Sequence, residues 1–332
     1  MKILKTNILL VLLLISTIIF NSCNTEEIDS EILSTNVTPE INNEGNSGNT
    51  NTNNPIGNEG EITLYTIVGD NIVKKQDYKV TGQDLIYQQN TAKHQELWQL
   101  TKKIIPANYR TKMSEFLIYN GDVSGSAGFV FETKPDLSKW QMGIAINFAD
   151  DQSELVYTII HEFGHILTLN NDQVDASIDN SSCKNYYTGE GCAKATSYIH
   201  KLQNNHWADI WEEFNKAKET ETEMEAFYKK YESRFVTQYA STNPGEDIAE
   251  VFATFVTRNS GVNGNSIAEQ KIQLMYNHSE LIDLRNYIRS NLGATSTSRS
   301  SKGEKSLLPA PGSWKQANTF GNPNKSHCLH KK

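Results

Sequence analysis

The spacing of apolar positions changes several times along the chain. Residues 8–20 form an apolar run interrupted only by Ser16 and Thr17, and residues 24–60 hold too few apolar positions for any periodic element. Residues 62–68 then alternate loosely and are rich in β-formers, which predicts a strand. Residues 91–105 have helical spacing through Leu97, Leu100 and Ile104, and Pro106 closes them. Short apolar runs at 116–119, 127–131 and 142–148, separated by Gly and Pro, predict further strands. Beyond these the period is helical. Leu155, Ile159, Ile160, Phe163, Ile166 and Leu167 outline one buried helical face, and more helices are predicted over 207–232, 246–258 and 266–291. Strands first and helices afterwards predict an α+β domain, with a small antiparallel or mixed sheet and a mainly helical C-terminal part. After residue 292 the chain is rich in Ser, Lys, Gly and Pro without periodicity, which predicts a disordered tail over 293–332.

Composition narrows the possible functions. The 332 residues hold 39 acids against 31 Lys and Arg, a net charge of −8. With no long basic run, a nucleic-acid partner is excluded, because phosphate neutralisation supplies most of that affinity. Residues 24–60 carry seven acids and no base, and residues 296–332 seven bases and one acid. The central part, residues 61–292, is therefore distinctly acidic.

Lys2 and Lys5 followed by the apolar run read as a secretory signal over 1–22, too short for a comfortable membrane span. The small residue Ser22 before Cys23 resembles a bacterial lipoprotein signal, in which Cys23 becomes the lipidated first residue of the mature protein. An uncleaved signal anchor is the plainer alternative. Residues 23–60 then read as a disordered tether. Its acids at Glu26, Glu27, Asp29 and Glu31 resemble the export signal of surface lipoproteins in the Bacteroidetes, and would equally serve only to solvate a linker.

The chemistry sits at His161-Glu162-Phe163-Gly164-His165, an HExxH pattern. On a helix, positions i and i+4 lie one above the other, so both imidazoles reach a single ion at about 2 Å. Glu162 then faces the side where a water would sit and can accept its proton. Taken singly, each histidine could be a hydrogen-bonded core residue and Glu162 an ordinary helix acid. Gly164 costs roughly 1 kcal/mol against Ala inside a helix, a cost consistent with close approach of another backbone.

A three-ligand zinc site needs one more donor. Thr168 and Asn171 stand where the metzincin pattern requires Gly and His, and Asp172 is one residue out of step with its Asp variant. The best candidate is Glu246, on a predicted helix that begins near Asn243-Pro244. Asn243 as N-cap with Glu246 as capping-box partner is the competing reading of the same residues. Glu250, one turn on, suits a carboxylate that accepts from a ligand histidine, or else a plain surface acid.

HEFGH, followed after some eighty residues by Tyr239 and then by Glu246-Asp247-Ile248-Ala249-Glu250-Val251-Phe252, resembles the lethal-factor-like gluzincins. With the leader, it is similar to the zinc metallopeptidase lipoproteins of Bacteroidetes associated with substrate import across the outer membrane. The resemblance covers about residues 60–292. It implies a zincin-like fold, one Zn²⁺ on His161, His165 and Glu246, Glu162 as general base, and Tyr239 as a hydrogen-bond donor to the transition state. It also implies a peptide or protein substrate, a lipid anchor in the outer membrane facing the cell surface, and an outer-membrane importer as partner. Tyr239 shares helical spacing with Tyr231 and Phe235, so a core role competes. Cys183 and Cys192 suit a short disulfide in an exported protein, with a second metal site as the alternative. Two other readings remain open at this point: a zinc amidase or esterase acting on non-peptide bonds, and a binding lipoprotein without turnover.

Overall fold

The computed structural model describes residues 60–293, 306–310 and 314–325. The leader, Cys23 and nearly all of the tether lie outside them. The chain opens with β1 (Glu61–Val68) and β2 (Asn71–Asp77), then α1 (Gly82–Gln89), α2 (Thr91–Ile104) and the single turn α3 (Ala107–Arg110). Strands β3 (Met113–Tyr119), β4 (Gly128–Glu132) and β5 (Trp140–Ala145) complete a mixed sheet of order β2-β1-β3-β5-β4. β3 and β5 are parallel and the other neighbours antiparallel. Along β3 the alternation is clean: Phe116 and Ile118 enter the main core, Leu117 and Tyr119 a smaller cluster on the opposite face. Trp98 of α2 packs edge-on to Phe116 at 5.4 Å, covering the first face.

After the sheet come α4 (Gln152–Leu169) and a small ribbon of β6 (Val174–Asp175) and β7 (Cys192–Ala193). Then follow α5 (Tyr198–His206), α6 (Trp211–Ala217), α7 (Glu221–Tyr231), α8 (Pro244–Thr257), α9 (Ile267–Tyr276) and α10 (Ser279–Asn291). The fold is mixed α+β with a mainly helical C-terminal part.

Several details differ from the pattern reading, which also has no helix where α5 lies. β2 and α1 were not predicted: β2 is an edge strand on which only Ile72 is buried, and α1 has no buried residue, so neither carries an apolar rhythm. The helix expected over 207–232 is two, because Thr220 caps α7 by accepting from the Glu223 amide. The helix expected over 266–291 breaks at Asn277 and His278. The tail is not uniformly without structure: residues 306–310 and 314–325 are placed, with Trp314 and Ala317 buried in the main core and Leu307, Leu308 and Phe320 packed against it. Two aromatics in an otherwise polar segment supply the apolar surface that its composition hides.

Candidate metal centre

α4 begins where Asp151 accepts from the Glu154 amide, and ends where the Asn170 side-chain amide donates to the carbonyls of Ile166 (2.8 Å) and Leu167 (3.1 Å). Between these ends every residue from Glu154 to Leu169 is buried. α8 starts with Asn243, whose Oδ1 accepts from the amides of Gly245 (2.8 Å) and Glu246 (3.0 Å), with Pro244 in the first turn. The two readings of this segment thus separate. Asn243 is the cap, while the Glu246 carboxylate turns away from it toward α4.

The two helices pack closely at Gly164. A Cβ built there would lie 3.1 Å from Ala249 Cα, so a glycine is what lets α8 lie so near. Glu246 and Glu250 stand three residues before and one after Ala249, so the same crossing delivers both carboxylates to the histidines.

The donor atoms converge. His161 Nε2 lies 3.1 Å from Glu246 Oε2 and 3.0 Å from His165 Nε2, and His165 Nε2 lies 3.3 Å from Glu246 Oε2. Ligand bonds of about 2.0–2.1 Å in tetrahedral directions place donor atoms about 3.3 Å apart. The triangle therefore fits zinc, and two imidazoles plus a carboxylate are a donor set that suits it. Among the described residues no other His/Cys/Asp/Glu group forms such a cluster.

Behind the triangle, His161 Nδ1 donates to Glu250 Oε1 at 2.8 Å. Glu250 Oε2 accepts from Thr237 (2.7 Å) and Tyr157 (3.2 Å), all in the interior. This holds the imidazole so that Nε2 faces the other donors. Burial disfavours a charged His161, but Glu246 and Glu250 outweigh it and push the imidazole up to about 10 without a metal. Burial likewise raises Glu246, yet His165 and His161 prevail and bring it down to about 2.

Glu162 is buried on α4 facing β4: a Cβ at Gly128 would come 3.2 Å from Glu162 Cγ. Tyr239 opens a short 3-10 turn (Tyr239–Thr242) directly before α8, and its ring meets that of His161 edge-on at 5.7 Å. The helical spacing it shares with Tyr231 and Phe235 is not one helix, since α7 ends at Tyr231 and Phe235 is extended, yet Tyr239 is buried in the main core like Phe235. Cys183 and Cys192 are joined in a disulfide, Cα atoms 5.3 Å apart, closing the loop that leads into β7.

Sequence reasoning overlooked Tyr157, Thr237 and Trp314. Tyr157 had a legible signal, standing four residues before His161 on the same helical face. Thr237 had none, because the bend that brings it to Glu250 carries no periodicity. Asp247, next to Glu246, forms a fully buried ion pair with Lys271 at 2.6 Å and accepts from Trp207 Nε1 at 2.7 Å. That fixes the opposite face of α8.

A family model described as "Putative zinc-binding metallo-peptidase" matches residues 141–306, from β5 through α4 and α8 to the start of the tail. No curated protein and no solved structure matches the chain. Since the match takes in half of the sequence and both helices that bring the donor triangle together, the chain belongs to that family.

Proposed function

We propose that the protein is a zinc-dependent hydrolase of peptide bonds, exported and held by lipid on Cys23 in the outer membrane, facing the cell surface. The observation that carries the catalytic part is the convergence of His161, His165 and Glu246, with Glu162 adjacent in sequence to a ligand. Zinc, when bound there, supplies a Lewis acid that acidifies water and polarises a carbonyl. The chain's own groups do the rest. The Glu162 carboxylate takes the proton of the attacking water and passes it to the leaving amine. Glu250, gripped by Thr237 and Tyr157, keeps His161 in one tautomer and orientation. Tyr239, against the edge of His161, donates a hydrogen bond to the developing oxyanion. The leader, Cys23 and the acidic stretch behind it support the address and a role beside an outer-membrane importer.

Glu162→Gln tests the mechanism. The amide keeps the shape and cannot take a proton, so zinc content stays at wild type while peptide hydrolysis falls by about 10²–10⁴. Undiminished hydrolysis by the zinc-loaded variant refutes the role of Glu162.

A further inference from the structure

The last described segment, residues 314–325, lies across the metal centre. Trp314 is 6% exposed, and its ring sits 5.0 Å from those of His161 and Tyr239 and 5.3 Å from that of Tyr157. The Lys315 amide donates to Glu154 Oε1 at 2.9 Å, and its ammonium pairs with Asp151 at 3.2 Å. Farther on, the Gly321 amide donates to Thr242 Oγ1 at 2.8 Å. The Asn243 side-chain amide donates to the carbonyls of Asn322 (3.3 Å) and Lys325 (2.7 Å). A Cβ at Gly321 would stand 2.9 Å from the Tyr239 hydroxyl, so the backbone passes directly over that phenol.

Most of these contacts hold the main chain of the segment. Its side chains are held as well: Trp314 in a slot beside His161 and Tyr239, Lys315 on an acidic helix start, Ala317 in the main core and Phe320 against it, 6.3 Å from the ring of Tyr228. The segment is a folded strap, with a single 3-10 turn at Lys315–Asn318 and a further turn closed by the Lys325 amide on the Asn322 carbonyl, so Trp314 is the group it presents to the metal centre. The track also continues. Where Asn243 holds the segment, a cavity of about 540 Å³ opens, lined by Pro244, Tyr186, Trp211 and residues 323–325. The family match stops at residue 306, short of Trp314.

We propose that residues 314–325 cover the metal centre in cis and hold the enzyme latent, and that the slot vacated by Trp314 in the open enzyme takes an aromatic residue of a peptide substrate beside the metal. This rests on the peptidase reading above. A segment on the same chain is presented at about millimolar effective concentration. If it binds in trans at about 10–100 µM, it keeps the metal centre covered about 90–99% of the time, so its release raises kcat/KM about ten- to hundredfold.

The test uses the full-length, zinc-loaded chain and two variants of the segment. Trp314→Ala empties the slot, and Gly321→Leu drives a side chain into Tyr239. Two readouts are taken, cleavage of a quenched-fluorescence peptide library and the rate at which a chromophoric chelator extracts zinc. Both variants should cleave about ten- to hundredfold faster and surrender zinc faster. A synthetic peptide of residues 314–325 added to Gly321→Leu should reverse both effects. Folded, zinc-loaded variants that give up zinc at the wild-type rate overturn the proposal, as does a synthetic peptide that neither slows extraction nor inhibits. If no form cleaves any peptide while extraction is accelerated and reversed by the peptide, the peptidase reading falls and occlusion of the metal centre by the segment stands.

Discussion

Gly164→Ala adds one methyl at the crossing of α4 and α8, and its effects follow from the contacts that methyl would make. The new Cβ would meet Ala249 Cα at 3.1 Å, and Ala249 Cβ and Phe252 Cδ1 at 3.4 Å. Ordinary carbon contacts lie at about 3.5–4.0 Å, so the helices must separate by about half an ångström. Overpacking of this kind costs about 1–3 kcal/mol, and replacing a mid-helix glycine returns about 1 kcal/mol. The net loss without metal is then about 0–2 kcal/mol, a fall in Tm of at most about 8 °C. The metal centre is less forgiving. Zinc sites tolerate about 0.2 Å in ligand distance, and the same separation carries Glu246 away from both histidines. Affinity should drop about ten- to hundredfold, on the scale seen when a ligand loses its supporting hydrogen bond. Competition against a chromophoric chelator measures it, beside thermal melts of the metal-free protein. A variant that melts normally and binds zinc within twofold of wild type would show that the close approach at Gly164 does not position Glu246.

Three further outcomes follow. Without metal, His161 is raised from 6.5 to about 10, so at pH 7.5 it is protonated and must lose that proton on binding zinc; calorimetry in buffers of different ionisation enthalpy should report release of about one proton per zinc, and none detected refutes the assignment. The stability this group lends the metal-free fold is full below pH 6.5 and lost as pH rises through about 10, whereas that of Glu246, lowered to about 2, is present above pH 4.5 and lost as pH falls through about 2, so metal-free melts should show both limbs. Cys183→Ser with Cys192→Ser opens a loop of sequence separation 9 and should cost about 2–3 kcal/mol in denaturant titration, with no change in zinc content; loss of zinc would place the loop in the metal centre itself.

The helix of the two histidines was legible because its apolar positions and HExxH share one periodic element, and burial on all sides only strengthened that signal. Glu246 was legible as a candidate but ambiguous, since Asn-Pro-Gly-Glu suits a capping box as well as a ligand. The ambiguity is resolved by the distance across to α4, which no local pattern encodes. Breaks between α6 and α7 and between α9 and α10 escaped notice because caps of one or two residues leave helical spacing almost intact. Trp314 was hidden for the opposite reason. Its segment has no period at all, and only its partners Tyr157, His161 and Tyr239, brought together from three places in the chain, give it a place to bind.

The separation of the three donors along the chain makes a bound zinc a fastener for the fold. His161 and Glu246 are 85 residues apart, so an ion that holds both closes a loop whose entropy cost to the unfolded chain is about 4 kcal/mol. An unfolded chain can offer zinc little more than the two neighbouring histidines, whereas the folded one offers all three donors. Metal supply therefore biases folding itself: a chain made where zinc is scarce spends more time open to proteases. The amount of protein that survives then becomes a record of how much zinc was available while it folded.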